Sequence, residues 1–270
     1  MVELSNAKVN IGLNVTSSRT DGFHELESIF IPIPIYDEIE IKESLELTFT
    51  SEGIEIPGSR KSNLCLKAFD LIRSKRNIPN VHIHLKKKIP IGAGLGGGSS
   101  NGAFVLKMLN EIFSLHFTID ELEEMALMLG SDCAFFIQNK PCYVTGRGEK
   151  LDFSLDFSFE GYMYLINPGI HIGTKEAYSS ITPMASIFDL KKISLLDINE
   201  WTGNIINDFE KPIVAKHDEL LLLKNKLEAS NAAYVSMSGS GSSFFALYIC
   251  EPPKLDLPPN YYSKVFKLAI

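Results

Sequence analysis

Five glycines and two serines stand together in one short loop, and their spacing suits the binding of an anion. Residues 92–100 read Gly-Ala-Gly-Leu-Gly-Gly-Gly-Ser-Ser and lie between a predicted strand and a predicted helix. Without Cβ atoms, successive backbone N–H groups can approach one phosphate, and the following helix adds its unpaired N–H groups and the positive end of its dipole. The loop therefore predicts a phosphate-binding site. A flexible linker is less favoured, because strand and helix patterns abut the loop directly.

Two familiar nucleotide loops do not fit these residues. A Walker-type P-loop requires a lysine after its last glycine, and no lysine follows here. The dinucleotide pattern Gly-x-Gly-x-x-Gly is literally present at Gly92, Gly94 and Gly97. Its preceding strand should be buried on both faces, whereas histidine and lysine alternate along residues 82–86. The literal match is therefore weak.

The elements around this loop begin with strands. Apolar and polar residues alternate over residues 7–15, which predicts a strand with Lys8 and Asn10 on its non-core face. Further strands are predicted over residues 23–33, limited by Pro32 and Pro34, and around residues 39–41 and 45–49. A run of strands at the start of the chain favours an antiparallel or mixed sheet.

Helices and strands alternate in the rest of the chain. A helix is predicted after Ser62, a strand over residues 81–85 and a helix over residues 103–113, and Thr118 with Glu121 forms a capping-box signature before another helix. The polar stretch of residues 151–161 is the best candidate domain boundary. Beyond it lie a strand at residues 162–166, a helical segment at 205–227 with a break at Pro212, and strands at 233–237 and 244–250. His82, His84 and the lysines at residues 86–88 form a mildly basic run, which is interpreted as a solvated face, with the lysines just before the glycine loop.

Composition narrows the class of protein. The chain has 270 residues, of which 45% are hydrophobic and 22% charged, as expected of a globular protein with a sizeable core. Its net charge of −7 argues against a nucleic-acid binder, and no apolar run reaches the length of a membrane span. The four cysteines form no Cys-x-x-Cys pair and no signal peptide precedes them, which predicts reduced thiols in a cytoplasmic protein.

Several separated motifs together resemble one superfamily of enzymes. Residues 90–100 resemble the second motif of the GHMP small-molecule kinases, and Ser-Gly-Ser-Gly-Ser-Ser at residues 238–243 resembles their third. Within that superfamily, Ala-Lys-Val-Asn at residues 7–10 and Thr-Asp-Gly-Phe-His-Glu-Leu at residues 20–26 resemble the family of 4-diphosphocytidyl-2-C-methyl-D-erythritol kinases. The segments at residues 129–136 and 146–149, the latter Gly-Arg-Gly-Glu, also resemble that family. The motifs occur in the right order between residues 6 and 250.

The resemblance implies a fold and a reaction. The expected fold is α+β with two domains, mixed or antiparallel sheets with helices, and an active site in the cleft between the halves. An N-terminal ATP-binding domain would cover residues 1–155 and a C-terminal domain residues 156–270. The implied activity is phosphorylation of the 2-hydroxyl of a cytidine-diphosphate-linked polyol by ATP, supplied as its Mg²⁺ complex, on the methylerythritol phosphate route to isoprenoid precursors. No metal ligand is assigned, no nucleic acid or membrane partner is expected, and the protein would be a monomer or a homodimer.

The same resemblance implies roles for the catalytic and ATP-binding residues. Asp132 aligns with the acid that serves as base for the hydroxyl, and Lys8 with its partner lysine. Taken alone, Asp132 also fits the cap of a short helix and Lys8 a solvated strand residue. Asn63 matches a residue near the adenine and equally fits a plain N-cap. The ATP phosphate loop comprises Pro90, Gly92, Gly94, Leu95, Gly96, Gly97, Gly98, Ser99 and Ser100.

Substrate recognition is assigned in the same way. Phe23 would stack on the cytosine, His24 would hydrogen-bond its polar edge, and Tyr178 would be a second stacking ring. The alternative places Phe23 in the core and His24 on the surface of a strand. The remaining substrate residues are Asn10 and Thr174. The C-terminal glycine motif, with Gly239, Ser240 and Gly241, would close the site from the second domain, or simply form a tight hairpin.

Two alternative functions remain open at this point. Another GHMP kinase, acting on mevalonate, homoserine or a sugar, would leave the Asp-Gly-Phe-His-Glu segment at residues 21–25 unexplained. A nucleotide-binding module without catalysis is the second alternative. Retention of both Lys8 and Asp132 argues against it.

Overall fold

A computed structural model describes all residues from Met1 to Ile270 and contains ten strands and seven helices. The strands are β1 (Val2–Ser18), β2 (His24–Glu43), β3 (Thr48–Gly53), β4 (Val81–Lys87), β5 (Cys142–Gly146), β6 (Lys150–Asp152), β7 (Glu160–Asn167), β8 (Tyr234–Met237), β9 (Phe244–Tyr248) and β10 (Tyr262–Ala269). The helices are α1 (Leu64–Lys75), α2 (Gly97–Ile112), α3 (Ile119–Leu129), α4 (Phe135–Gln138), α5 (Thr174–Ser179), α6 (Glu210–Val214) and α7 (Asp218–Glu228). The expected α+β class is confirmed. None of the helices combines the length and the apolar character needed to cross a bilayer.

The chain forms two compact units whose segments interleave along the sequence. Unit 1 consists of Met1–Lys8, Pro32–Ile91 and Gly96–Lys140. Unit 2 consists of Val9–Ile31, Gly92–Leu95 and Pro141–Ile270. The division into domains at residues 155/156, and the placing of the active site between them, stay predictions.

Unit 1 combines helices with a mixed set of strands. The second half of β2 runs antiparallel to β4, with Glu38 opposite Lys86, whereas β3 runs parallel to β4. Helices α1, α2 and α3 pack against one another. α1 starts where Asn63 accepts a hydrogen bond from the N–H of Cys65, and α3 starts at the expected capping box of Thr118 and Glu121.

Unit 2 is built on a four-stranded antiparallel sheet with the order β10-β7-β9-β8. The first part of β2 pairs with β5, and β5 pairs with β6, both antiparallel. One apolar core joins the end of β1, the sheet and helices α5 to α7, with Leu13, Phe209 and Phe244 among its buried residues. The predicted strands at residues 162–166, 233–237 and 244–250 are confirmed as β7, β8 and β9.

Several predicted element boundaries are wrong. Pro32 and Pro34 do not end a strand: β2 continues through them to Glu43, and they lie outside the part of β2 paired with β5 and the part paired with β4. β3 begins only at Thr48, and Leu45 is almost fully exposed. Pro212 lies inside the first turn of α6, where a proline is tolerated, and the helical segment is interrupted after Val214 instead.

The predicted solvated face of the basic run is wrong at Lys87 only, and the prediction of a single buried face for β1 is also wrong. Alternate residues of β4 are buried, so Lys87 points inward and is only 3% exposed, next to the equally buried Asp37. Both faces of β1 are covered over residues 5–14, which buries Lys8 and Asn10. Alternation indicates which face is more apolar, but it does not show that the polar face stays in water once other elements pack on it.

Candidate active site

Lys8 and Asp132 lie together in unit 1. Lys8 projects from β1, and Asp132 belongs to the 3-10 turn Ser131–Cys133 that follows α3. The Lys8 Nζ lies 3.4 Å from Asp132 Oδ2, and the two side chains are 4% and 35% exposed. No side chain caps this turn or α4, so Asp132 is not a helix cap. A buried ammonium group thus supports a carboxylate that a hydroxyl can reach from solvent.

Gly96 is the residue at which the glycine loop re-enters unit 1, and it packs against Lys8 of this pair. Gly96 has a φ of +67°, a backbone conformation that residues with a Cβ atom rarely adopt. A Cβ atom at Gly96 would lie 3.1 Å from Lys8 Cγ and 3.1 Å from the ring of Phe136. Glycine is therefore required here both by the turn and by the close approach to Lys8.

The N-terminus of α2 is open, unlike those of α1 and α3. Gly96 is its N-cap, no side chain caps it, and its first turn holds no acidic residue. The hydroxyl of Ser100, in the first turn, is buried without a hydrogen-bond partner. The unpaired N–H groups and the Ser100 hydroxyl are hydrogen-bond donors, and the helix dipole adds a partial positive charge. Together they have the chemistry of a phosphate site.

The tip of the glycine loop is attached to the C-terminal glycine motif within unit 2. The Ser238 hydroxyl donates to the carbonyl oxygen of Gly94 at 2.9 Å, and the N–H of Ser243 donates to that of Ala93 at 3.3 Å. A Cβ atom at Gly94 would overlap the Ser238 carbonyl oxygen. The motif, with Gly239, Ser240 and Gly241, is also the turn between β8 and β9, as the hairpin interpretation expects.

Two residues that the sequence analysis missed hold this motif in place. The Asn207 amide donates to the carbonyl oxygens of Met237 and Gly239 at 2.7 and 2.8 Å. Glu210 Oε2 accepts the N–H of Met237 at 2.8 Å, and Glu210 also pairs with Lys224. Asn207 and Glu210 both lie in the segment that the sequence predicts only as helical. No local pattern distinguishes these two residues from ordinary surface residues.

The predicted base-binding residues cluster in unit 2. The rings of His24 and Tyr178 are stacked, with centroids 4.9 Å apart and an interplanar angle of 23°. Phe23 is 52% exposed, so it is not a core residue, and the guanidinium of Arg147 lies 4.7 Å from its ring centroid. Leu26 pairs with Gly146, and this register brings the Gly-Arg-Gly-Glu turn to Phe23.

The other predicted residues are placed as follows. Asn10 is buried and its amide donates to the Ser28 hydroxyl at 3.0 Å. Thr174 is exposed at the start of α5. Asn63 caps α1, which is the plain alternative, and its role near the adenine stays a prediction.

The side chains around Asp132 form neither a metal cluster nor an activated thiol. No group of three His, Cys, Asp or Glu side chains lies close enough together to hold a metal ion. Cys133 adjoins Asp132 in the chain, but burial raises the pKa of its thiol to about 12. It remains a neutral thiol near pH 7.

Known proteins resemble this chain over most of its length. Residues 63–140 match the family model described as GHMP kinases N terminal domain. A 4-diphosphocytidyl-2-C-methyl-D-erythritol kinase of Cytophaga hutchinsonii is 43% identical over 253 residues, covering 93% of this chain and 94% of the relative. The enzyme of that name from Parabacteroides distasonis is 43% identical over 249 residues, covering 92% of each chain.

Solved structures agree with these relatives. A crystal structure of 4-(cytidine 5'-diphospho)-2C-methyl-D-erythritol kinase superposes with a TM-score of 0.79 at 30% identity, covering 92% of this chain and 90% of that one. The Methanococcus jannaschii mevalonate kinase has a TM-score of 0.63 at 15% identity and shares 92% and 90% of the two chains, which shows the fold alone. This chain therefore belongs to the GHMP kinases and, among them, to the family of 4-diphosphocytidyl-2-C-methyl-D-erythritol kinases.

Proposed function

We propose that this chain transfers the γ-phosphoryl group of ATP to the 2-hydroxyl of 4-diphosphocytidyl-2-C-methyl-D-erythritol, with Lys8 and Asp132 as the catalytic pair. Membership of the family makes the chain a small-molecule phosphotransferase. The observation that carries the assignment of residues is the 3.4 Å contact of Lys8 with Asp132 beneath Gly96. It joins two sequence motifs and the glycine loop at one place.

In this proposal Asp132 is the general base. Its carboxylate orients the substrate hydroxyl and accepts its proton as the new oxygen–phosphorus bond forms and the bond from the γ-phosphorus to the bridging oxygen breaks. Lys8 pairs with the carboxylate of Asp132 and offers a positive charge to the transferred group. Because Lys8 is buried, little water competes for that charge.

ATP supplies the phosphoryl group, and the start of α2 has the donors to hold its phosphates. The N–H groups of Gly97, Gly98 and Ser99 have no side-chain cap, and the Ser100 hydroxyl has no partner within the protein. Mg²⁺ would enter with ATP, and its charge would offset that of the phosphates. We assign no side chain to the ion.

Base recognition falls to the cluster around Phe23. One face of its ring is taken by Arg147, so the cytosine would stack on the other face. His24, held against Tyr178, would use its ring nitrogens to hydrogen-bond the polar edge of the base. Thr174, exposed at the start of the helix that carries Tyr178, would also contact the substrate.

The cellular compartment, the class of partner and the oligomeric state are part of the same proposal. The four cysteines are free thiols, which supports a reducing compartment such as the cytoplasm. The net charge of −7 supports action on a small molecule rather than on nucleic acid. A monomer or a homodimer stays the prediction for the oligomeric state.

A substrate panel tests the function. Purified protein with ATP and Mg²⁺ is assayed for ADP release with the cytidyl-diphosphate polyol, mevalonate and homoserine. We expect turnover only with the cytidyl substrate. Equal or faster turnover of mevalonate or homoserine would reassign the chain to another GHMP activity, and no turnover with any acceptor would favour a nucleotide-binding module.

A further inference from the structure

A buried cluster of polar groups lies next to the glycine loop in unit 1, and the proposed mechanism does not use it. Its three members are Asp37, Lys87 and Asn101, all at most 3% exposed. The Lys87 ammonium donates to Asp37 Oδ2 and, at 3.1 Å, to Asn101 Oδ1. The Asn101 amide donates to Asp37 Oδ2 at 2.9 Å and to the Ser5 hydroxyl at 2.8 Å. The three side chains thus form a closed triangle of hydrogen bonds.

The cluster contacts the chain on both sides of the loop. Asp37 Oδ1 accepts the backbone N–H groups of Lys88 and Ile89 at 2.7 and 2.8 Å, and these residues lead directly into the loop. Asn101 is the fifth residue of α2, the helix that follows the loop. A Cβ atom at Gly97 would lie 2.9 Å from Lys87 Nζ, so the first residue of the helix rests on the ammonium group.

The chemistry of the cluster favours a role in positioning over a role in stability. A buried ion pair often contributes no more to folding than apolar side chains of the same volume would, because both ions lose their hydration. What such a pair does provide is a single geometry, since each buried donor and acceptor must keep its partner. Here that geometry relates the end of β4 to the start of α2.

We propose that Asp37, Lys87 and Asn101 are positioning residues that hold the two ends of the phosphate loop and thereby set its N–H groups for ATP. The proposal rests on the proposed ATP site. It assigns the cluster to ATP binding and not to recognition of the cytidyl substrate. Asn101 is the member to test first, because its loss leaves Lys87 and Asp37 still paired with each other.

The experiment compares Asn101→Ala with Asn110→Ala. Asn110 is an asparagine of the same helix that exchanges two hydrogen bonds with the backbone of Phe117, at the far end from the loop. Both changes place a good helix former in α2 and remove side-chain hydrogen bonds, so the melting temperature measures their structural cost. Calorimetric titration with ATP measures binding directly, and steady-state kinetics give the KM for each substrate.

For Asn101→Ala we expect the Kd and the KM for ATP to rise about five- to tenfold, as for the loss of a hydrogen bond that orders the site. The KM for the cytidyl substrate should stay within about twofold of the wild type. Asn110→Ala should lower the melting temperature and leave both KM values unchanged. If Asn101→Ala bound ATP as tightly as Asn110→Ala, or raised both KM values together, the positioning role would be lost.

The binding measurement separates this proposal from the proposed function. A wild-type protein that binds ATP but does not phosphorylate the cytidyl substrate would overturn the substrate assignment, while the comparison of the two variants would still decide the role of Asn101. A wild-type protein that binds no ATP would overturn both.

Discussion

The side chains of Lys8 and Asp132 differ in their access to solvent, and their division of labour follows from that difference. Lys8 is nearly buried, and its charge is fixed under the backbone of Gly96. Asp132 keeps about a third of its surface exposed. A group that exchanges a proton with a substrate must be reachable, whereas a group that acts through its charge is most effective away from water.

Asp132→Asn should preserve the fold and both KM values while lowering kcat by about 10²- to 10⁴-fold, because an amide cannot accept the proton. Steady-state kinetics with the cytidyl substrate measure the effect. Asp120→Asn, in the exposed first turn of α3, is the matched control and should keep wild-type kcat. Turnover of Asp132→Asn within about threefold of the wild type would show that Asp132 is not the base.

Alanine substitutions of Phe23 and His24 should have different effects on the KM values. Stacking contributes roughly 1–3 kcal/mol and hardly discriminates between bases, so Phe23→Ala should raise the KM for cytidyl and uridyl substrates alike. His24→Ala should raise the KM for the cytidyl substrate most and narrow its advantage over the uridyl analogue, because it removes an edge contact.

Phe23→Tyr is the control for that pair and should keep both KM values, since stacking requires only the ring. An unchanged cytidyl-to-uridyl ratio in His24→Ala would assign base discrimination to the backbone or to other side chains. If Phe23→Ala also had no effect, this segment would not be the base pocket.

At the scale of elements, close contacts of its backbone with neighbouring residues fix the conformation of the glycine loop. Its return at Gly96 lies against Lys8 and Phe136 in unit 1, and its tip at Gly94 lies against Ser238 in unit 2. Both glycines have positive φ angles. The linker interpretation is wrong, because a flexible linker would not be packed and hydrogen-bonded in this way.

Gly96→Val should weaken ATP binding by about tenfold and also lower kcat, because the new side chain strains the turn and displaces Lys8. Calorimetric titration with ATP and kcat measurements test this. Gly203→Val is the control: Gly203 also has a positive φ, but open space surrounds it. An ATP affinity of Gly96→Val equal to that of the control would contradict the close-approach argument.

At the scale of the whole molecule, the interleaving of the two units determines how the chain can be divided. The path changes unit after Lys8, after Ile31, on each side of Gly92–Leu95, and after Lys140. Any cut near residue 155 therefore leaves Val9–Ile31 of unit 2 on the fragment that holds all of unit 1.

A fragment of residues 156–270 should not fold by itself, since it lacks Leu13 and Val15 of the unit 2 core and the β2–β5 pairing. Circular dichroism and thermal melting of this fragment, beside the full chain as control, test the expectation. A cooperative melt of the isolated fragment near the temperature of the full chain would mean that the predicted C-terminal domain is autonomous.

The local pattern of the sequence was sufficient for features whose cause is local. The capping box of Thr118 and Glu121 depends on residues three apart, and the helix after the glycine loop follows from apolar spacing along one face. The motifs that identify the family could also be recognised in the sequence alone. The predicted roles of Phe23, His24 and the phosphate loop still await the measurements above.

Only the tertiary structure showed the features that depend on residues far apart in the chain. Lys87 is a buried ion-pair partner because Asp37 lies beside it, and nothing near Lys87 in the sequence indicates this. Asn207 hydrogen-bonds to the backbone at the glycine motif, which lies some 30 residues further along the chain. In the same way, β10 is a strand because β7 pairs with it. Burial and pairing arise from contacts between distant segments, and the free energy that decides them is not a property of any short stretch of residues.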